Sequence, residues 1–322
     1  MKKIIIICII LLLFLGYTPY HELNDLAVVD VMALEFKDDK YTLYLNVIND
    51  KNKVYTIKGN SLGEVFFKAK DINNKKTYYK HLNVVIFNKD ILKNNNKLLT
   101  FFKDEFTGID YLTLATDSNL NTLFNKYHKG KDYRSFLVKE KSETGSIVNI
   151  SFKDLLSSNL DEIKNYVIPI IGVDSKLFSK GIYIIDKDYI LDKDLARIVY
   201  LLDNKITTYS EKIKVKNNYY QVIIYNLNTS ISYKNNTINI SVTGNIDSSD
   251  TNNLVNIKKK IINDLEEKTN ELVTLEKQKG FYVSNIINYI YLKEKDNSVN
   301  SYQNANIKIK VKLEEKERNN YD

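Results

Sequence analysis

The sequence predicts an α+β protein: an N-terminal signal or anchor helix, then two or three mixed domains, the last an antiparallel-dominated sheet packed against a long helix. Three observations carry that reading. Tyr41, Leu43, Leu45 and Val47 alternate with Thr42, Tyr44, Asn46 and Ile48, the period of a half-buried strand. Leu254, Ile257, Ile261, Leu265, Leu272 and Leu275 stripe one face of a stretch from Asn253 to Lys279. Ile307 to Leu313 alternates strictly with lysine, as suits an edge strand.

In chain order, Lys2 and Lys3 precede 12 apolar residues, Ile4 to Leu15, a charged n-region and an h-region of signal-peptide length. Residues 1–20 are therefore read as a signal peptide or signal anchor. Leu26 to Leu34 and Tyr41 to Ile48 pair across the polar Lys37-Asp38-Asp39-Lys40 turn. From Val54 to Leu92 the pattern runs strand, helix, strand, with Ser61-Leu62-Gly63-Glu64 as a capping box and Leu82 to Phe87 as the second strand. Ile91 to Phe106 and Asn119 to Tyr127 read as helices flanking a strand at Tyr111 to Ala115, with Asp117 or Ser118 as cap. His128 to Thr144 reads as a polar surface segment, and Phe152 to Val167 as a helix ended by Pro169.

A boundary is expected near Val173 to Phe178, dividing 21–174 from 175–322, with 175–215 and 216–322 as a further subdivision. Strands at Gly181 to Asp186 and Tyr189 to Leu191 precede a helix to Leu202 capped by Asp192. Strands at Tyr219 to Tyr225 and Thr237 to Thr243 follow. The long helix ends at Gly280, a second helix spans Ser284 to Leu292, and the lysine-faced strand closes the chain. Residues 181–313 are expected to form the sheet that packs on the long helix.

Composition narrows function. With 322 residues, 43% of them hydrophobic, the chain has the length and apolar content for sizeable cores. The net charge is +7, but of 47 basic residues only Arg134, Arg197 and Arg318 are arginine, and the lysines are spread along the chain. Nucleic-acid recognition leans on arginine and clustered basic patches, so no nucleic-acid partner is expected. Cys8 is the single cysteine and lies in the leader, which excludes a disulfide framework. His21, His81 and His128 are widely separated, and no P-loop, G-x-S-x-G or dinucleotide glycine pattern occurs. Asp186-Lys187-Asp188 and Asp192-Lys193-Asp194 fit turns better than acid/base chemistry. The expectation is no enzyme activity, no metal, no cofactor and no catalytic residue. Composition and periodicity alone do not name a function.

A resemblance adds to this. Glu22-Leu23-Asn24-Asp25-Leu26-Ala27-Val28-Val29, placed after the leader and before a two-strand pattern, resembles the mature N-terminus of the Ger(x)C family, the C subunits of spore germinant receptors. Lys80 to Phe87, the run GIYIIDKDYILDKDLARIVYLL from Gly181, and the final strand, strand, long helix, helix, strand order are also similar to that family. The resemblance implies a protein on the extracytoplasmic face of the spore inner membrane, working with integral-membrane A and B subunits in the response to small-molecule germinants. It implies no ligand contact. Glu22, Asn24 and Asp25, beside the membrane exit, are the candidate interaction residues, with capping and turn formation as their alternative role.

Family leaders end in an acylated cysteine, and that position here is Tyr17, so no lipidation is expected there. The leader is then expected to stay on as a helix through Tyr20, about 25 Å long at about 1.5 Å per residue. Two other readings remain: an exported cell-envelope hydrolase, and a generic envelope assembly or adhesion module.

Overall fold

A computed structural model describes residues 25–51, 53–93, 98, 102, 110–159, 163–215, 218–248 and 254–315. The leader, with Tyr17, Glu22 and Asn24, lies outside the described residues, as does most of the helix expected from Ile91 to Phe106.

Strands β1 (Leu26–Lys37) and β2 (Lys40–Val47) form the expected hairpin around Asp38 and Asp39, both at positive φ (50° and 58°). Two successive left-handed residues give the turn whose twist suits paired strands, and aspartate tolerates that conformation. Strand β3 (Lys53–Gly59) pairs with β2, and helix α1 (Leu62–Lys68) follows. The Glu64 N–H donates to the capping Ser61 Oγ at 3.1 Å, while Glu64 Oε2 reaches back to accept from the N–H of Asn60, the residue before the cap, at 2.7 Å. A small hairpin of β4 (Asp71–Ile72) and β5 (Lys75–Tyr78) was not legible in the sequence: its residues are polar, and its turn is made by Asn73 and Asn74 at positive φ. Strand β6 (Val84–Asn88) leads into helix α2 (Lys89–Leu92).

Beyond strand β7 (Leu112–Thr116), helix α3 (Leu120–Lys126) is capped by Asn119, which accepts from Thr122 N at 3.0 Å, and not by Asp117 or Ser118. The segment expected to be a surface loop contains helix α4 (Gly130–Lys139) and a π-helical turn, Glu140–Thr144. Only Gly130, Tyr133 and Leu137 of α4 are buried, and so narrow a stripe gives a weak helical pattern among the charged residues of the segment. Helix α5 (Phe152–Asn159) stops short of Val167. Pro169 does not terminate it but lies within strand β8 (Val167–Val173). The proline is tolerated because β7 pairs with β8 only at Ile170 and Ile171, and the ladder to the next strand shifts register between those two residues.

Strands β9 (Leu177–Ile184) and β10 (Tyr189–Asp192) complete a ten-stranded sheet ordered β10-β9-β8-β7-β6-β1-β2-β3, with β4 and β5 beside the start of β1. The boundary expected between 174 and 175 thus falls in the short link of a β-hairpin. The strands at 181–192, expected in the last sheet, belong to the first. Helices cover both faces of the central parallel strands. Val31, Ala33, Val84, Ile86 and Leu114 meet α3 and α4 on one side, and Met32, Leu34, Val85 and Phe87 face the main core on the other. Burial on both faces explains why Leu26 to Leu34 reads as a continuous apolar run.

Helix α6 (Lys193–Leu202) joins the two halves. Asp192 caps it, accepting from Asp194 N and Leu195 N at 2.9 and 3.0 Å, and every residue from Leu195 to Leu202 is buried. The second sheet comprises β11 (Thr208–Val215), β12 (Asn218–Lys234), β13 (Thr237–Ser248) and, after three helices, β14 (Asn306–Glu315). Its pairings are antiparallel except β13 with β14. Helix α7 (Leu254–Lys279) packs its stripe on this sheet and ends at Gly280 (φ 64°), where glycine meets no penalty for the left-handed turn. Helices α8 (Ile286–Glu294) and α9 (Ser298–Asn304) complete the layer.

Candidate interaction site

Of the three residues expected to mediate contacts, only Asp25 is among those described; it is exposed, directly before β1. The scattered carboxylates serve the fold. Asp188, at φ 46°, pairs with Lys93 Nζ at 2.8 Å and accepts from the Tyr183 hydroxyl at 3.0 Å; these donors hold its carboxyl below its ordinary value, the Lys93 ammonium contributing most. Asp186 accepts from the Asn165 amide. His81 is exposed beside the Tyr78 ring, and His128 is half-buried. Among the described residues, no three His, Cys, Asp or Glu side chains are gathered as metal ligands would be.

The polar centre that the sequence did not disclose lies five residues from Asp25. Asp30 is the extra residue of a β-bulge: Val29 pairs with Val47 but Val31 with Asn46. The bulge flips the side-chain alternation, so that Ala27 and Val29 before it and Met32 and Leu34 after it all face the main core. Asp30 itself is buried. Its Oδ2 accepts from the Gly130 N–H at 2.7 Å, at the start of α4, and its Oδ1 accepts from the Asn83 amide, whose oxygen in turn accepts from Arg134. A carboxylate facing a helix N-terminus meets unpaired N–H groups and the positive end of the helix dipole. A Cβ on Gly130 would sit 2.5 Å from Asp30 Oδ1, so glycine is required by proximity. Ile48, Asn83, Lys129, Lys131 and Arg134 rim a depression of about 390 Å³ over this centre.

A larger cleft of about 560 Å³ lies between α5, the 163–167 segment and the end of α6. Its charged groups hold the molecule together. Lys164 Nζ donates to Asp203 Oδ2 at 2.7 Å and to Asn285 Oδ1 at 3.0 Å, and Asn285 N donates to Asp203 Oδ1 at 2.8 Å. Asp154 accepts from Ser151 N and Oγ at 2.9 and 2.7 Å. Burial pushes the Tyr200 hydroxyl in its wall far above the usual phenol range. The arrangement is that of a braced seam: the cleft's acids are engaged in capping and ion pairing.

Comparison with known proteins supports the resemblance drawn from the residues after the leader. Residues 19–173 match the family described as spore germination protein N-terminal domain. The chain is 25% identical over 198 residues to spore germination protein KC of Bacillus subtilis (strain 168), a match that covers 50% of this chain and 47% of the relative. The fold is similar to that of a solved structure titled as the crystal structure of the GerBC protein, with a TM-score of 0.54 at 13% identity, covering 88% of this chain and 96% of that one. These likenesses support a Ger(x)C family protein. The match to the Bacillus subtilis relative spans about half of that protein's length. The bulge at Asp30 and the hairpin at β1–β2 fall inside the matched N-terminal domain, and α6 and the second sheet fall beyond it.

Proposed function

We propose that this chain is a Ger(x)C protein: a membrane-tethered, non-enzymatic subunit of a spore germinant receptor, required for germination in response to nutrients. The observation that carries the reading is the match of residues 19–173 to the germination-protein N-terminal domain, which covers the whole approach from the leader to β8. The tether is the leader itself. With Tyr17 at the position where the family carries its acylated cysteine, the uncut helix from Ile4 to about Tyr20 holds the chain in the membrane, Lys2 and Lys3 inside and the folded part outward. Among the described residues no helix is long and apolar enough to cross a membrane. Partners are the integral-membrane A and B subunits, in the spore inner membrane. The geometry agrees with a scaffold: its buried acids cap helices and brace the seam.

Deletion of the gene in its own spore-forming host tests the reading. Mutant spores are expected to lose the response to one nutrient class, measured as the fall in optical density after nutrient addition, and to regain it with the intact gene. Spores that form normally and respond unchanged to every nutrient that triggers the parent would overturn it.

A further inference from the structure

Six of the 47 basic residues, far apart in the sequence, lie at the end of the fold where β1 starts. Leu26 pairs with Lys76, and Val28 with Tyr78. The Ile48 N–H donates to Val28 O at 3.0 Å, and the Asn49 side chain bonds Val28 N and Leu26 O, which places the β2–β3 turn and its Lys51 alongside. Lys80 lies between Tyr78 and Asn83, which is bonded to Asp30, and Lys129, Lys131 and Arg134 rim the depression that Ile48 and Asp30 also line. Lys51, Lys76, Lys80, Lys131 and Arg134 are exposed and Lys129 is half-buried.

The acids at this end are Asp25, Asp50, Asp71, Asp110 and Asp132, together with Asp30, whose charge is buried against Gly130 and Asn83. Asp50 accepts from the Tyr55 hydroxyl and the Asn73 amide. The excess is local: the depression is lined by Lys129, Lys131 and Arg134 against the single buried carboxylate of Asp30, so its rim presents positive charge outward. Nine residues separate Leu15 from Asp25. Fully extended, such a link spans at most about 35 Å, and it joins the fold at the start of β1, so this end is the one the chain keeps nearest the bilayer.

We propose that this end of the molecule is a membrane-contacting surface for anionic lipid headgroups, centred on Lys129, Lys131 and Arg134 around the Asp30 depression. It rests on the tether proposed above, and adds to it an orientation: β1 stands with Leu26 toward the bilayer and Lys37 away. Cations near an anionic leaflet are attracted within about one Debye length, about 8 to 10 Å at moderate salt. The far end of the hairpin lies beyond that range. Lys37 is eleven residues along β1 from Leu26, about 35 Å at about 3.3 Å per residue.

The test is lysine acetylation footprinting by mass spectrometry on the full chain, leader included, in nanodiscs of phosphatidylcholine alone or mixed with phosphatidylglycerol. In phosphatidylglycerol discs at low salt, Lys76, Lys129 and Lys131 are expected to react several-fold more slowly than in phosphatidylcholine discs. High salt should abolish the difference, and Lys37 and Lys40 should react alike throughout. K129Q/K131Q is expected to weaken the protection of Lys76.

Equal rates in the two discs would overturn the proposal. So would protection by inorganic phosphate alone, which assigns the site to a soluble anion. Protection that appears only with the receptor's membrane subunits present, and is indifferent to phosphatidylglycerol, would assign the patch to an acidic protein face and overturn it too. No germination readout enters, so failure of the receptor assignment leaves this result standing. A chain that joins neither disc would overturn the tether and this surface together.

Discussion

Glu276 is the residue on which the second half of the molecule turns. It is fully buried in α7, and its carboxyl accepts from Val283 N at 2.9 Å, Ser284 N at 3.0 Å, Ser284 Oγ at 3.3 Å and the Tyr302 hydroxyl. It fixes the chain that turns from α7 into α8. Burial raises its pKa above the ordinary value, against the lowering by its donors, with Tyr302 the largest of them. An acid whose folded-state pKa is raised favours the folded state in its protonated form. Its contribution is full below the unfolded-state pKa and is lost as pH rises through the folded-state value. The stability of the wild type against urea should therefore fall from mildly acidic pH upward, and Glu276→Gln should remove that part of the pH dependence while still folding. Glu276→Ala leaves two backbone N–H groups and two hydroxyls without their acceptor and should cost about 3 kcal/mol or more. At Asp30 the same logic gives a smaller figure. Gly130→Ala drives a methyl against the Asp30 carboxylate and should cost about 1 to 3 kcal/mol in urea unfolding, with the secondary-structure spectrum unchanged. Neither centre was legible in the sequence. Glu276 sits among the charges of a helix whose apolar stripe draws the eye, and Asp30 interrupts an apolar run; what marks each is a partner 7 to 26 residues away for the first and 53 to 100 for the second.

At the scale of elements, local chemistry was read well wherever a side chain near the end of an element determines it. Asp192 caps α6, Ser61 and Glu64 frame the start of α1, Gly280 ends α7, and Asp38 and Asp39 turn the first hairpin. Asp192→Ala should cost about 1 kcal/mol, the usual loss on removing a cap, measured by thermal or urea unfolding. Misreadings occurred where tertiary context overrides local preference. Pro169 looks like a helix stop, yet the mismatch in strand register gives it a place in β8. Residues 130–139 look like a loop because few side chains anchor α4, Tyr133 and Leu137 buried and Phe136 half-buried, and much of its remaining surface is polar or charged. Strand β11 went unread between a helix and a polar turn: Tyr209 and Ile213 are buried, but the intervening positions carry Ser210, Glu211 and Lys212.

Across the whole molecule, the fold class was legible and the division of the strands was not. The Asp174-Ser175-Lys176 turn has the composition of a linker, whereas it joins two paired strands, and the two sheets meet through a buried helix and share one continuous core. The seam at Lys164, Asp203 and Asn285 ties segments 39 to 121 residues apart. A single cooperative unfolding transition is expected as a consequence. Asp203→Ala, which removes the buried carboxylate that Lys164 Nζ and Asn285 N share, should lower stability by about 3 to 5 kcal/mol. Near-ultraviolet and far-ultraviolet circular dichroism in urea would check both, since separated halves would give non-coincident transitions.

The proposed role requires the chain to reside with two integral-membrane subunits. The most direct measurement is affinity capture of a C-terminally tagged chain from detergent-solubilised spore inner membrane, followed by mass spectrometry of the intact captured proteins. The account predicts recovery of both membrane subunits with this chain, whose own N-terminus is at or near Met1 and carries no acyl group. Recovery of the chain from the soluble fraction alone, with neither membrane subunit bound, would contradict it.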